Sequence, residues 1–170
     1  MRRRRVPHLN RPEHARDPID DDNKVCRRRA LDLLARREHS RLELKHKLLA
    51  RAFVPTLVED VLDALQADGL LDEGRFLESF IRTRIGKGQG PTRIVAELDQ
   101  RGIDRGRVRA WLRGSELDWP SLAAGVREKR FGPSRPESFA DRARQTRYLQ
   151  YRGFEIDQIK AALELAGKSD

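Results

Sequence analysis

His39 and Ser40 are neighbours, the one place in the chain where a histidine adjoins a serine or threonine. Adjacent side chains diverge from the backbone and rarely align for proton transfer. Ser40 with Glu43 also reads as a capping box at a helix start, which accounts for the serine without any chemistry. Of the other histidines, His8 and His14 lie near the N-terminus, and His46 is seven residues beyond His39 with no cysteine or carboxylate cluster beside it. A zinc site needs three or four convergent ligands, so no metal is expected. The run Gly86-Lys87-Gly88-Gln89-Gly90-Pro91 looks like a phosphate cradle. It lacks the spacing of a P-loop and follows a helical pattern instead of a strand, so it reads as a basic connector entering a helix. The exposed amides of that helix start could accept a phosphate or a partner's carboxylate. Cys26 is the single cysteine, which excludes an intramolecular disulfide and suits a reducing cytoplasm. No enzyme and no cofactor are expected.

Charge is the more informative chemistry. The net charge is +9, and the 29 basic and 22 acidic residues after position 24 still leave +7, so the body itself is basic. Such a balance attracts polyanions, nucleic acid being the commonest. Basic side chains gather in three sets: Arg27, Arg28, Arg29, Arg36, Arg37 and Arg41; Arg82, Arg84, Lys87 and Arg93; and Arg127, Lys129, Arg130, Arg142, Arg144 and Arg147. Interleaved acids such as Glu38, Glu43, Glu97 and Asp141 neutralise part of each set through pairs at helical spacing. As a whole the sets favour an acidic partner. Arg2 to Arg5 resemble the start of a signal peptide, but no apolar run follows, and no stretch of about 18 apolar residues occurs. Neither export nor membrane insertion is expected.

These side chains are carried by helices. Charged residues, at 37%, nearly match the hydrophobic 38%, which suits thin helical layers better than one deep core. Residues 1–22 mix Arg, Pro and Asp without apolar periodicity and read as a disordered tail. Beyond them Leu57, Val58, Val61, Leu62 and Leu65 form one helical stripe, and Phe76, Leu77, Phe80 and Ile81 another. Pro55, Pro91 and Pro120 suit first turns, while Gly69, Gly102, Gly153 and Gly167 suit helix stops.

Laid on itself, the chain repeats. Arg51-Ala52-Phe53 recurs as Arg101-Gly102-Ile103 and as Arg152-Gly153-Phe154. Leu48, Leu98 and Leu149 precede the turn; Val58, Val108 and Ile159, then Leu62, Leu112 and Leu163, follow it. Ser40, Gly90 and Asp141 fall at matching helix starts. The expected fold is all-α: three tandem three-helix repeats over 23–71, 72–117 and 118–170, stacked into an elongated, curved body with a right-handed or similar superhelical course. Ala52 is disfavoured in a left-handed turn by about 1–2 kcal/mol, so the first turn is expected to differ from the two glycine turns. Leu44, Phe53, Leu70, Phe76, Phe80, Leu98, Ile103, Leu149 and Phe154 are assigned to the core.

The segments Arg36-Arg37-Glu38-His39-Ser40-Arg41-Leu42-Glu43-Leu44, Gly69-Leu70-Leu71-Asp72-Glu73-Gly74-Arg75-Phe76, Gly88-Gln89-Gly90-Pro91 through Glu97-Leu98, and Leu149-Gln150-Tyr151-Arg152-Gly153-Phe154 resemble the RecX family. The resemblance covers about residues 24–165, and several separated motifs in the right order make it specific. It departs at Ala52, where the family turn usually has Gly, at Leu77, where a small residue is usual, and in its longer Arg-rich tail. A cytoplasmic monomer is expected, and the resemblance implies a modulator that lies along the groove of the RecA recombinase filament on single-stranded DNA. Such a regulator restrains ATP hydrolysis and strand exchange, and so modulates DNA repair, recombination and the SOS response. Single- or double-stranded DNA is a further partner to test. Arg82, Arg84, Lys87 and Arg93 of the middle repeat are the first candidate partner contacts, followed by Arg142, Arg144, Arg147 and Arg152 of the last. The alternative reading is a basic helical module that coats DNA and competes for the lattice without touching the recombinase.

Overall fold

The computed structural model describes residues 18–167. They form α1 (Pro18–Leu34), α2 (Arg41–Leu49), α3 (Pro55–Ala67), α4 (Glu73–Gly86), α5 (Pro91–Asp99), α6 (Arg105–Gly114), α7 (Trp119–Phe131), α8 (Phe139–Arg152) and α9 (Ile156–Leu165), with no strand among the described residues. The helices group in threes, and the extensive helix–helix packing lies within each group. The all-α repeat fold expected from the sequence is therefore the one observed.

Each repeat has its own small core. Cys26, Ala30, Leu44, Leu48, Val58 and Leu62 fill the first, Phe76, Ile81, Ile94, Leu98, Ile103 and Val108 the second, and Ala123, Leu149, Phe154, Ile159 and Leu163 the third. The repeated leucines and β-branched residues thus occupy the same place three times, each contributing roughly 1.5–3 kcal/mol of burial. Trp119 is shared, packing against both the second and the third core.

Local signals set the helix ends. Ser40, Asp72, Asp104, Asp118 and Ser138 each accept a backbone N–H three residues on, while Pro55 and Pro91 open α3 and α5. Only half of the expected capping box forms at Ser40: its Oγ accepts the Glu43 N–H, but the Glu43 carboxylate turns away to Arg37 and Arg101. Asp141 is not an N-cap. Ser138 caps α8 one turn earlier, which makes α8 14 residues long where α2 and α5 have 9.

All three Arg turns place their middle residue at positive φ, but the first differs as expected: the N–H groups of Ile103 and Phe154 donate back to the Leu98 and Leu149 carbonyls at 3.1 Å, whereas the Phe53 N–H makes no such bond to Leu48. Ala52 has φ +63°, Gly102 +81° and Gly153 +92°. The reversal is what returns Phe53, Ile103 and Phe154 to their cores, so packing holds Ala52 in a conformation it intrinsically disfavours.

Three further expectations need correction. α1 begins at Pro18, so the helix takes in residues 18–22 of the expected tail, with Asp21 and Asp22 near its start, where acidic residues complement the helix dipole. The rest of the expected tail, residues 1–17, lies outside the described residues. Leu70 is 43% exposed, and Phe80 is half-buried at the rim of the second core, packing on Phe76 at 5.7 Å with the Arg84 and Arg101 guanidinium groups over its ring at 4.4 and 4.8 Å. Arg127, grouped with the surface cations, is buried: it donates to Gln145 Oε1 at 2.8 Å, to the Gly132 carbonyl at 3.0 Å and to the Ser134 carbonyl. Dipolar acceptors just past the end of α7 and on α8 hold this guanidinium where a carboxylate is usual.

Candidate functional site

Turns and side chains, rather than packed helices, join one repeat to the next. At the first joint Ser40 Oγ donates to the Arg101 carbonyl at 2.7 Å, and Arg101 Nε donates to Glu43 at 3.2 Å. At the second joint the backbone N–H of Gly90 donates to the Arg152 carbonyl at 2.8 Å, and that of Thr92 to the Gly153 carbonyl at 3.1 Å. The N-terminus of each repeat's second helix therefore meets the Arg turn of the following repeat. The second joint is the closer: a Cβ on Gly90 would stand 2.4 Å from the Gly153 carbonyl carbon, and one on Gly153 2.5 Å from Arg93 Cβ. Among the described residues no hydrogen bond or ion pair links the first repeat to the third.

A surface groove accompanies each joint. The first, of about 320 Å³, is lined by Arg37, Glu38, Glu43, Phe76, Ser79, Phe80, Thr83, Arg84, Lys87 and Arg101. The second, of about 600 Å³, is lined by Ile85 to Gln89, Ser121, Leu122, Gly125, Val126, Lys129, Arg130, Tyr148, Arg152 and Phe154. Counting from the helix caps, these are matching positions: Lys87 stands for Arg37, Leu122 for Phe76, Gly125 for Ser79, Val126 for Phe80, Lys129 for Thr83, Arg130 for Arg84 and Arg152 for Arg101. Smaller side chains at Gly125 and Val126 leave the second groove wider.

The two grooves differ in charge. In the first, Arg37 and Arg101 both bind Glu43, at 3.0 and 3.2 Å, and Arg84 binds Glu97 at 2.8 Å while stacking with Arg101 on Phe80. Burial works to raise the Glu43 carboxyl, but Arg37, His39 and Arg101 prevail and hold it below the usual range. Burial likewise opposes Arg93 and Arg84 at Glu97, and again the arginines win. In the second groove Lys87, Lys129, Arg130 and Arg152 have no carboxylate partner among the described residues. Gln89 gives its Nε2–H to Glu97 at 3.1 Å and keeps a buried Oε1 that no donor reaches.

The candidate contacts expected from sequence fall into three groups. Arg82, Lys87, Arg142 and Arg147 are exposed and unpaired among the described residues. Arg84 and Arg93 are held by Glu97, and Arg144 by Asp141 at 2.9 Å. Arg152 braces the second joint, donating to the Lys87 carbonyl at 3.1 Å and to the Tyr148 hydroxyl. Lys129 and Arg130 share the second groove with Lys87 and Arg152, a grouping that sequence spacing does not reveal because the folded joint creates it. No His, Cys, Asp and Glu cluster able to hold a metal, and no helix long and apolar enough to cross a membrane, occurs among the described residues.

Residues 26–65, 72–112 and 120–163 match, in order, the family models described as RecX first, second and third three-helix domain. The chain is 48% identical over 148 residues to the Regulatory protein RecX of Halorhodospira halophila (strain DSM 244 / SL1), covering 87% of this chain and 92% of that relative. It is 51% identical over 139 residues to the Regulatory protein RecX of Pseudomonas entomophila (strain L48), covering 82% and 90%. The crystal structure of RecX from Lactobacillus salivarius superposes with a TM-score of 0.74 at 21% identity, covering 88% of this chain and 99% of that one, a likeness of fold.

Proposed function

Because the chain belongs to the RecX family of regulatory proteins, we propose that it binds RecA filaments on single-stranded DNA and inhibits their ATP hydrolysis and strand exchange. The protein would thereby modulate DNA repair and the SOS response in the cytoplasm, as a monomer and with no chemistry of its own. The observation that carries this reading is the match of all three repeats, in order, to a family of regulators. The architecture supports it: three small bodies joined in line present partner surface at intervals, as successive protomers of a filament do, and linked contacts reinforce one another through effective concentration. Arg82, Lys87, Arg142 and Arg147 are the proposed outward contacts, with Arg84, Arg93 and Arg144 held by ion pairs and Arg152 by the joint as the next set.

The test is ATP hydrolysis by the same organism's recombinase on single-stranded DNA, titrating this protein well below one per protomer. Inhibition that persists in excess DNA supports filament regulation. Inhibition abolished by added DNA supports the competing reading, a basic module that coats the lattice.

A further inference from the structure

The first joint supplies its own carboxylate and the second does not. Glu43 sits between Arg37 and Arg101 at the first joint. At the second, Lys87 and Arg152 occupy the two cation positions, but Arg93 stands where Glu43 would be, and it turns away to Glu97 at 3.2 Å. Lys129 and Arg130 add two more unpaired cations to the same rim. Beneath them lies an apolar floor of Ile85, Leu122, Val126 and Phe154, in a groove nearly twice the volume of its counterpart.

We propose that the groove between the second and third repeats is a docking site for an acidic peptide segment, one carboxylate of which bridges Lys87 and Arg152 while an apolar side chain fills the space over Gly125 and Val126. The first joint is the internal precedent, since there a carboxylate of the chain itself makes that bridge and Phe80 fills that space. A single nucleic-acid strand fits less well. Strand binding uses open aromatic faces as stacking platforms. Here Tyr148 has Arg152 over its ring at 5.3 Å and Phe131 edge-on at 5.3 Å, and Phe154 is buried. The floor left for a ligand is aliphatic.

As a contact to a recombinase protomer this rests on the reading above; as a peptide site it stands on the groove itself. The test uses the full chain and a fluorescein-labelled heptapeptide, Asp-Asp-Leu-Glu-Phe-Asp-Glu, followed by anisotropy. Serine in place of its Leu and Phe should weaken binding about tenfold or more. So should the double variant K129E/R130E, whose side chains are exposed. Gly125→Leu should do the same by filling the groove, since a Cβ there meets nothing within 4 Å. Unchanged binding by both variants, or an oligothymidylate that displaces the peptide from the wild type and loses its own binding in both variants, overturns the proposal. The same two variants are then assayed for recombinase inhibition. Wild-type inhibition that both variants retain removes the groove from the filament contact and leaves the regulatory function standing. Absence of wild-type inhibition removes the function and leaves the peptide titration to decide the groove.

Discussion

Ser40 gives its hydroxyl hydrogen to the carbonyl oxygen of Arg101 at 2.7 Å and, through the same oxygen, accepts the N–H of Glu43 at 3.1 Å. One small side chain therefore starts α2 and fastens the first repeat to the second. Ser40→Ala removes both bonds in a fully buried position and is expected to lower stability by about 1–3 kcal/mol, read as a fall in the urea midpoint with unchanged slope. A loss within a few tenths of a kcal/mol would show that the joint does not depend on this hydroxyl.

Gly90 fills the matching place at the second joint with backbone alone. Gly90→Ala drives a methyl group to 2.4 Å from Phe154 N, so the third repeat must shift. The expected result is a destabilisation of about 2–4 kcal/mol or separate melting of the third repeat, visible as a second calorimetric transition. Gly125→Ala, in open space on α7, should by contrast be neutral or stabilising.

Ala52 is the one non-glycine residue at positive φ among the described residues. Ala52→Gly should raise stability by about 0.5–1 kcal/mol, the relief of left-handed strain being partly offset by the freer unfolded chain. Equilibrium unfolding in urea checks it, and a loss of stability would mean that the alanine methyl group has a packing role.

The joint polar groups give a pH dependence whose sign can be worked out. Burial, and then the charges of Arg37 and Lys47, push the His39 imidazole below its ordinary value near 6.5, against a hydrogen bond to the Arg37 carbonyl and the charge of Glu43. Its folded pKa is depressed, so stability is full above the unfolded value and is lost as pH falls through the folded one. Glu43 and Glu97, also depressed, add a loss that begins below their ordinary value of 4.5. His39→Gln should flatten the upper part of this decline, which begins below the ordinary histidine value near 6.5, because Gln89 already serves at the equivalent place in the second repeat. A melting profile unchanged by the substitution would sink this account.

Arg127 and Arg82 separate structural from exposed cations. Arg127→Ala strands Gln145 Oε1 and two carbonyls and should cost about 2–4 kcal/mol, with faster hydrogen exchange around residues 132–136. Arg82→Glu should leave the melting temperature within about a degree, being an exposed site away from the core. Its effect should appear only in recombinase inhibition.

The repeat and its helix order were legible in the sequence because Leu48, Leu98 and Leu149 and their followers mark buried positions at a fixed spacing, and burial is what helical periodicity reports. The joints were less legible. That Glu43 serves a neighbouring repeat, or that Arg127 is buried, depends on contacts across 58 and 18 residues that no local pattern encodes. Arg84 and Arg82 look alike on one helix, yet the first faces Glu97 and the second solvent, a distinction made only when α4 meets α5.

The separation of the cores gives the protein an uneven optical signature. Its two tryptophans, Trp111 and Trp119, pack on the second and third cores, and both tyrosines, Tyr148 and Tyr151, lie on α8. Intrinsic emission therefore monitors the latter two-thirds of the chain and is blind to the first repeat, whose melting registers only as a loss of helical ellipticity. Divergence between the two signals on heating would time the opening of the first repeat without any added label.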